Sequence, residues 1–135
     1  MENNIQKKEI PGDDEVKNAI EVLVMACHGR AWNAGWWHDL KTGDFSPRSH
    51  GDLCSLIHSE VSEAYEGYRK DLMDDKLTHR KMFPVEIADV IIRCFDALGG
   101  RYPDDAISIL EKMKFNESRA DHKPENRLKD GGKKL

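Results

Sequence analysis

The chain reads as an all-α protein, a four-helix bundle. Apolar residues recur at helical spacing in four segments, Gly and Pro punctuate the stretches between them, and no segment alternates with the period of two that marks a strand. No internal repeat is visible. Residues 1–12 are a polar leader ending in Pro11-Gly12, and residues 13–120 form the domain. From Asp13, the residues Val16, Ile20, Leu23, Val24 and Cys27 follow one helical face, with Asp13 or Asp14 as cap and Gly29 near the end. Residues 30–49 hold Trp32, Trp36 and Trp37 among Gly35, Gly43 and Pro47 without a sustained period, which predicts a structured loop over the core.

A second helix is expected from about Ser49–Asp52 to Leu72. Leu53, Leu56, Ile57, Val61, Ala64, Tyr65 and Tyr68 form its apolar stripe, and both tyrosines are expected in the core. A charged stretch, 73–82, leads to Pro84, which suits the first turn of a third helix. That helix is apolar on nearly every side, from Val85 to Leu98, and Gly99-Gly100 is expected to end it. Such a helix belongs in the middle of a bundle, and covering its second face calls for a partner subunit in a homodimer or homotetramer. Pro103, Asp104 and Asp105 open a fourth helix with Ile107, Leu110 and Met113 turned inward. Residues 121–135 are a polar, basic tail that reads equally as a lid or a frayed terminus.

Composition excludes some functions. A net charge of -4 with 34% charged residues offers no basic field for a nucleic-acid polymer. No apolar run reaches the roughly 18 residues of a membrane span, and the first residues lack the apolar stretch of a signal peptide. Cys27, Cys54 and Cys94 are odd in number and lie in apolar surroundings, which suits reduced core thiols and a cytoplasmic location.

Against that background two acidic pairs stand out. Glu60 and Glu63 lie on the second helix, Glu60 within its apolar stripe, while Glu86 and Asp89 lie on the third. Buried carboxylates require a partner, because desolvating an unpaired charge costs several kcal/mol or more. No matching set of Lys or Arg shares their faces. On the third helix Glu86, Asp89, Arg93 and Asp96 fall in one line, which an average helix would turn to solvent; here the stripe is narrow, mostly acidic and answered by Glu60, Glu63 and Glu66. Oxygen-only ligands favour Mg²⁺, with Mn²⁺ as the alternative, and Mg²⁺ commonly takes further ligands from phosphates. Near the end of the fourth helix Lys112, Asn116 and Arg119 repeat at +4 and +3, a basic face suited to phosphate on the side opposite the metal. A basic last turn also has an ordinary origin in the helix dipole.

The segments LIHSEVSEAYEGYRK, PVEIADVIIRCFDAL and EKMKFNESRADH together resemble the MazG-like branch of the all-α nucleoside triphosphate pyrophosphohydrolases. The resemblance runs over residues 30–127 and rests on ExxE, ExxD and KxxxNxxR in this order. It implies an oligomeric helical bundle that hydrolyses nucleoside triphosphates, ribo or deoxy, to the monophosphate and pyrophosphate, a nucleotide-pool house-cleaning activity. It also implies Mg²⁺ held by Glu60, Glu63, Glu86 and Asp89, with Lys112, Asn116 and Arg119 on phosphate and sugar. One of Glu60 and Glu63 is expected as general base, and the choice between them stays open.

Trp32, Trp36, Trp37 and the adjacent His38 are candidates to stack on a nucleobase, with Trp37 and His38 as the substrate-binding pair; the competing role is to cover the bundle's open end or an interface. His58-Ser59-Glu60 matches the H-x-E of zinc deaminases, but the P-C-x-x-C element is missing. His28, His50, His58 and His79 are expected as packed or surface residues. Asp96 either extends the metal site or pairs with Arg93, and its distance from the ExxD pair favours the structural role. The rival function is an oligomeric helical scaffold whose acidic faces point outward to bind a basic protein. A di-iron bundle would need Glu-x-x-His pairs, and neither acidic pair has one.

Overall fold

A computed structural model describes residues 6–134; the first five residues of the leader and Leu135 lie outside the described residues. The α-helices are α1 (Asp13–Asn33), α2 (His50–Arg69), α3 (Met82–Arg101), α4 (Ser108–Ser118) and α5 (Pro124–Arg127), with 3-10 turns at Pro103–Asp105 and Ala120–His122. Only isolated bridges, His38 with Phe45 and Met73 with Lys81, break the all-helical character of the described residues. The chain divides into two compact units. One is Val22–Ala106; the other joins Met1–Glu21 to Ile107–Leu135.

Helix ends are set by caps, which explains where they depart from expectation. α1 runs past Gly29 because the left-handed residue that stops it is Gly35, at φ 81°. The Gly35 and Trp36 amides donate to the carbonyls of Trp32 and Ala31, satisfying the last turn. α2 begins as expected, with the Asp52 amide donating to Ser49 Oγ at 3.0 Å. It ends at Arg69, short of Leu72, because Asp71 takes the left-handed position at φ 50° and the Leu72 amide donates back to Gly67. α3 passes straight through Gly99-Gly100. Those glycines serve close packing: a Cβ at Gly99 would fall 2.5 Å from His28 Cβ, and one at Gly100 would fall 2.2 Å from the Trp37 ring.

In the Val22–Ala106 unit α2 and α3 pack against each other. Gly67 faces Met82 while Glu60 faces Arg93, so the two helices run antiparallel. The buried sector of α2 is Leu53, Glu60, Ala64 and Gly67, spaced 7, 4 and 3. Its small residues admit α3 closely. Tyr65 and Tyr68 lie off that sector and are exposed, contrary to the expectation of a core role. α3 is inverted relative to an ordinary amphipathic helix: Glu86 and Asp96 are each 8% exposed, whereas Ile91 and Ile92 are 49% and 46% exposed. Cys54 and Cys94 are likewise exposed rather than in the core, and Cys27 is half-buried.

Residues 34–49 form an ordered hairpin-like loop. Asp39 Oδ1 accepts from the Lys41 and Thr42 amides, Phe45 stacks on Trp32 at 5.9 Å, and Trp37 is fully buried. Pro103–Asp105 makes a 3-10 turn at the end of the Val22–Ala106 unit, and α4, in the other unit, starts only at Ser108, later than Pro103 led one to expect. The tail is folded on itself: Asn126 donates to the Ala120 carbonyl and Arg127 to those of Lys133 and Lys134.

Candidate metal centre

Helical spacing places Glu60 and Glu63 one turn apart on α2, facing the first turns of α3. There Glu60, Glu63 and Glu86 each present a carboxylate oxygen, and the three atoms lie within 4.8 Å of one another. Glu60 and Glu86 are buried; Glu63 is exposed. Asp89, half-buried, lies outside this group of three but feels the charge of Glu60. Glu66 turns away, paired with Lys70.

The electrostatics record the crowding. Burial pushes the Glu86 carboxyl up to about 7, helped by its hydrogen bond with Glu60 and by the charges of Glu63, Glu60 and Asp89. Burial also raises Asp89, with Glu60 adding to the effect and Arg93 opposing it. The one cation bonded to the trio among the described residues is Arg93, whose Nε and a terminal nitrogen donate to the same Glu60 oxygen at 2.6 and 2.5 Å. Arg93 had been expected to pair with Asp96. It lies one turn beyond Asp89 on the acid line, and that +4 spacing was the available signal for an inward cation.

Asp96 has a different task. Its Oδ1 accepts from Trp37 Nε1 at 2.9 Å and is hydrogen-bonded to His28 Nδ1 at 2.9 Å, tying the loop and α1 to α3. Trp37 therefore has no free ring face, and its expected role in stacking on a base is corrected to a structural one. His38 sits edge-on to Trp32 with ring centroids 4.0 Å apart. Trp36 is the open one, 62% exposed, with the Arg48 guanidinium 5.4 Å from its ring centre. Both line a cleft of about 630 Å³ between α1, the loop and α3, together with Arg30, Arg93, Asp96 and Cys27. Neither the cleft nor its arginines were visible as a group in the sequence, since they come from three separate segments.

In the other unit, Lys112 lies over the Phe115 ring at 4.7 Å and Lys114 pairs with Asp13. Asn116 Oδ1 is a buried acceptor without a partner among the described residues. Arg119 does not continue the helical face expected of it: α4 ends at Ser118, Arg119 is extended, and its guanidinium grips Asp121 through two bonds of 3.0 and 2.8 Å.

Comparison with family models, with curated proteins and with solved structures found no match for the chain. The donor set itself is of the kind that a hard divalent cation takes: three carboxylate oxygens, with no sulfur or imidazole in the group. No helix among the described residues is long and apolar enough to cross a membrane.

Proposed function

We propose that the chain is a Mg²⁺-dependent nucleoside triphosphate pyrophosphohydrolase of the MazG-like kind, with Mn²⁺ as an alternative metal, acting in the cytoplasm on ribo- or deoxyribonucleotides. The observation that carries this reading is the convergence of Glu60, Glu63 and Glu86 from two helices onto one point with a single arginine against them. Asp89 completes the acidic set from the next turn of α3. A divalent cation in that position supplies Lewis acidity toward triphosphate oxygens and acidifies a bound water.

The chain's own groups divide the remaining work. Glu60 is occupied by Arg93 and Glu86 is the acid that holds its proton up to about pH 7. Glu63, exposed and without such a partner among the described residues, is the group able to accept the proton of an attacking water at its carboxylate oxygen. Trp36 and Arg48 offer a base a flat, cationic wall in the cleft. The exposed apolar sector of α3 at Ile91 and Ile92 supports assembly into a homodimer or homotetramer. A scaffold that binds basic proteins through its acids needs them at the surface, where Glu63 alone of the trio stands.

The test is a panel of nucleoside triphosphates incubated with Mg²⁺, with pyrophosphate and orthophosphate measured separately. Pyrophosphate with nucleoside monophosphate is expected. Orthophosphate as the sole product contradicts attack at the α-phosphorus, and no turnover with any triphosphate favours the scaffold.

A further inference from the structure

Arg93 touches both halves of the proposed site. Two of its nitrogens surround one oxygen of Glu60, the carboxylate that also offers an oxygen to the group formed with Glu63 and Glu86. Arg93 also lines the cleft that holds Trp36, Arg48 and Arg30. Its side chain remains about one third exposed, so it is not locked away behind the acids. A cation on Glu60 and a guanidinium on the same carboxylate repel each other and compete for one negative charge.

We infer that Arg93 is the internal counter-ion of the metal-free acid cluster, and that metal loading displaces it into the cleft to bind a phosphate group of the nucleotide. This rests on the metal-site reading above and deepens it. Without metal, Arg93 neutralises the trio and is withdrawn from ligand. With metal, Glu60 exchanges one cation for another, and the released guanidinium joins Arg30 and Arg48 in a cleft already suited to an aromatic anion. Metal and nucleotide then favour each other's binding through one side chain. Linkage requires that coupling to be the same in both directions.

The experiment measures Mn²⁺ binding by electron paramagnetic resonance on the intact protein, with and without a nonhydrolysable triphosphate analogue, for wild type, Arg93→Gln and Arg93→Lys. In wild type the analogue is expected to tighten Mn²⁺ by about tenfold, within the usual range of coupled sites. Arg93→Gln should bind Mn²⁺ alone about tenfold more tightly, because a competing cation is gone, and bind the analogue more weakly, with the coupling falling toward unity. Arg93→Lys keeps the charge, so Mn²⁺ alone should bind as in wild type, with part of the coupling retained. A purely structural arginine moves neither ligand in this opposed way. Unchanged coupling in either folded variant, or weaker Mn²⁺ binding by Arg93→Gln alone, overturns the inference while leaving the metal site standing. Absence of Mn²⁺ binding by wild type under both conditions overturns both. Circular dichroism verifies folding, and if Arg93→Gln fails to fold, Arg93→Lys decides by its coupling.

Discussion

Replacing Glu86 with Gln keeps the side chain's size and its ability to hydrogen-bond Glu60 while removing its charge, so the variant isolates the cost of crowding the acids. In the metal-free protein this carboxyl titrates at about 7 instead of 4.5, chiefly through burial and then through its acidic neighbours. The folded state therefore binds more protons than the unfolded chain between those values, and stability falls as pH rises through that window. At about 1.4 kcal/mol per pH unit, the penalty above the folded pKa approaches about 3 kcal/mol, and relaxation toward water brings the expected gain for Glu86→Gln to about 1 to 3 kcal/mol. For a chain of this size that is about 3 to 10 °C in Tm. Thermal melts in chelator near pH 8 should show the variant above wild type, and the difference should vanish near pH 5, where wild-type Glu86 is already protonated. Adding Mg²⁺ near pH 8 should raise wild type and leave the variant nearly unmoved. A variant that melts below wild type near pH 8, or that gains equally at both pH values, refutes the crowding argument.

Because the Glu86 proton must leave before the oxygen can ligate, Mn²⁺ affinity measured by titration calorimetry should fall as pH drops below about 7, by up to about tenfold per pH unit, and level off above it. Asp96→Ala should cost about 2 kcal/mol in urea unfolding, since it strands the buried Trp37 N–H, while Mn²⁺ affinity stays within about twofold of wild type; a large loss of metal affinity would return Asp96 to the metal site. Gly100→Ala drives a methyl into the Trp37 ring and should destabilise by about 2 kcal/mol or more, read by the same unfolding curves. Combined Glu63→Ala and Asp89→Ala should abolish pyrophosphate release from triphosphate. Undiminished turnover in the double variant would remove the proposed chemistry from this site.

The helices were legible because their apolar periodicity is strong; of the four acids singled out, Glu60, Glu63 and Glu86 lie together while Asp89 lies outside their group and Glu63 is exposed. Side-chain direction was less legible. Tyr65 and Tyr68 read as core because the pattern of α2 admits an apolar sector wider than the one α3 covers; burial went instead to Glu60, Ala64 and Gly67. Gly99-Gly100 reads as a stop signal, yet a glycine ends a helix only where it takes a left-handed φ, and these two instead yield room to His28 and Trp37. Arg119 matched a helical spacing that stops one residue too early. The cleft was invisible for a different reason: Arg30, Arg48 and Arg93 acquire a common environment only when α1, the loop and α3 are folded together.

Gly67 has a reach beyond its own turn. It lies one turn from Glu63 and faces Met82, itself one turn from Glu86, and a Cβ there would stand 2.7 Å from Met82 Cγ. A side chain at position 67 would thus press on the start of α3, one turn from Glu86. If the acids hold an ion as proposed, that closeness matters more for magnesium, which demands oxygens at about 2.1 Å, than for calcium, which accepts about 2.4 Å.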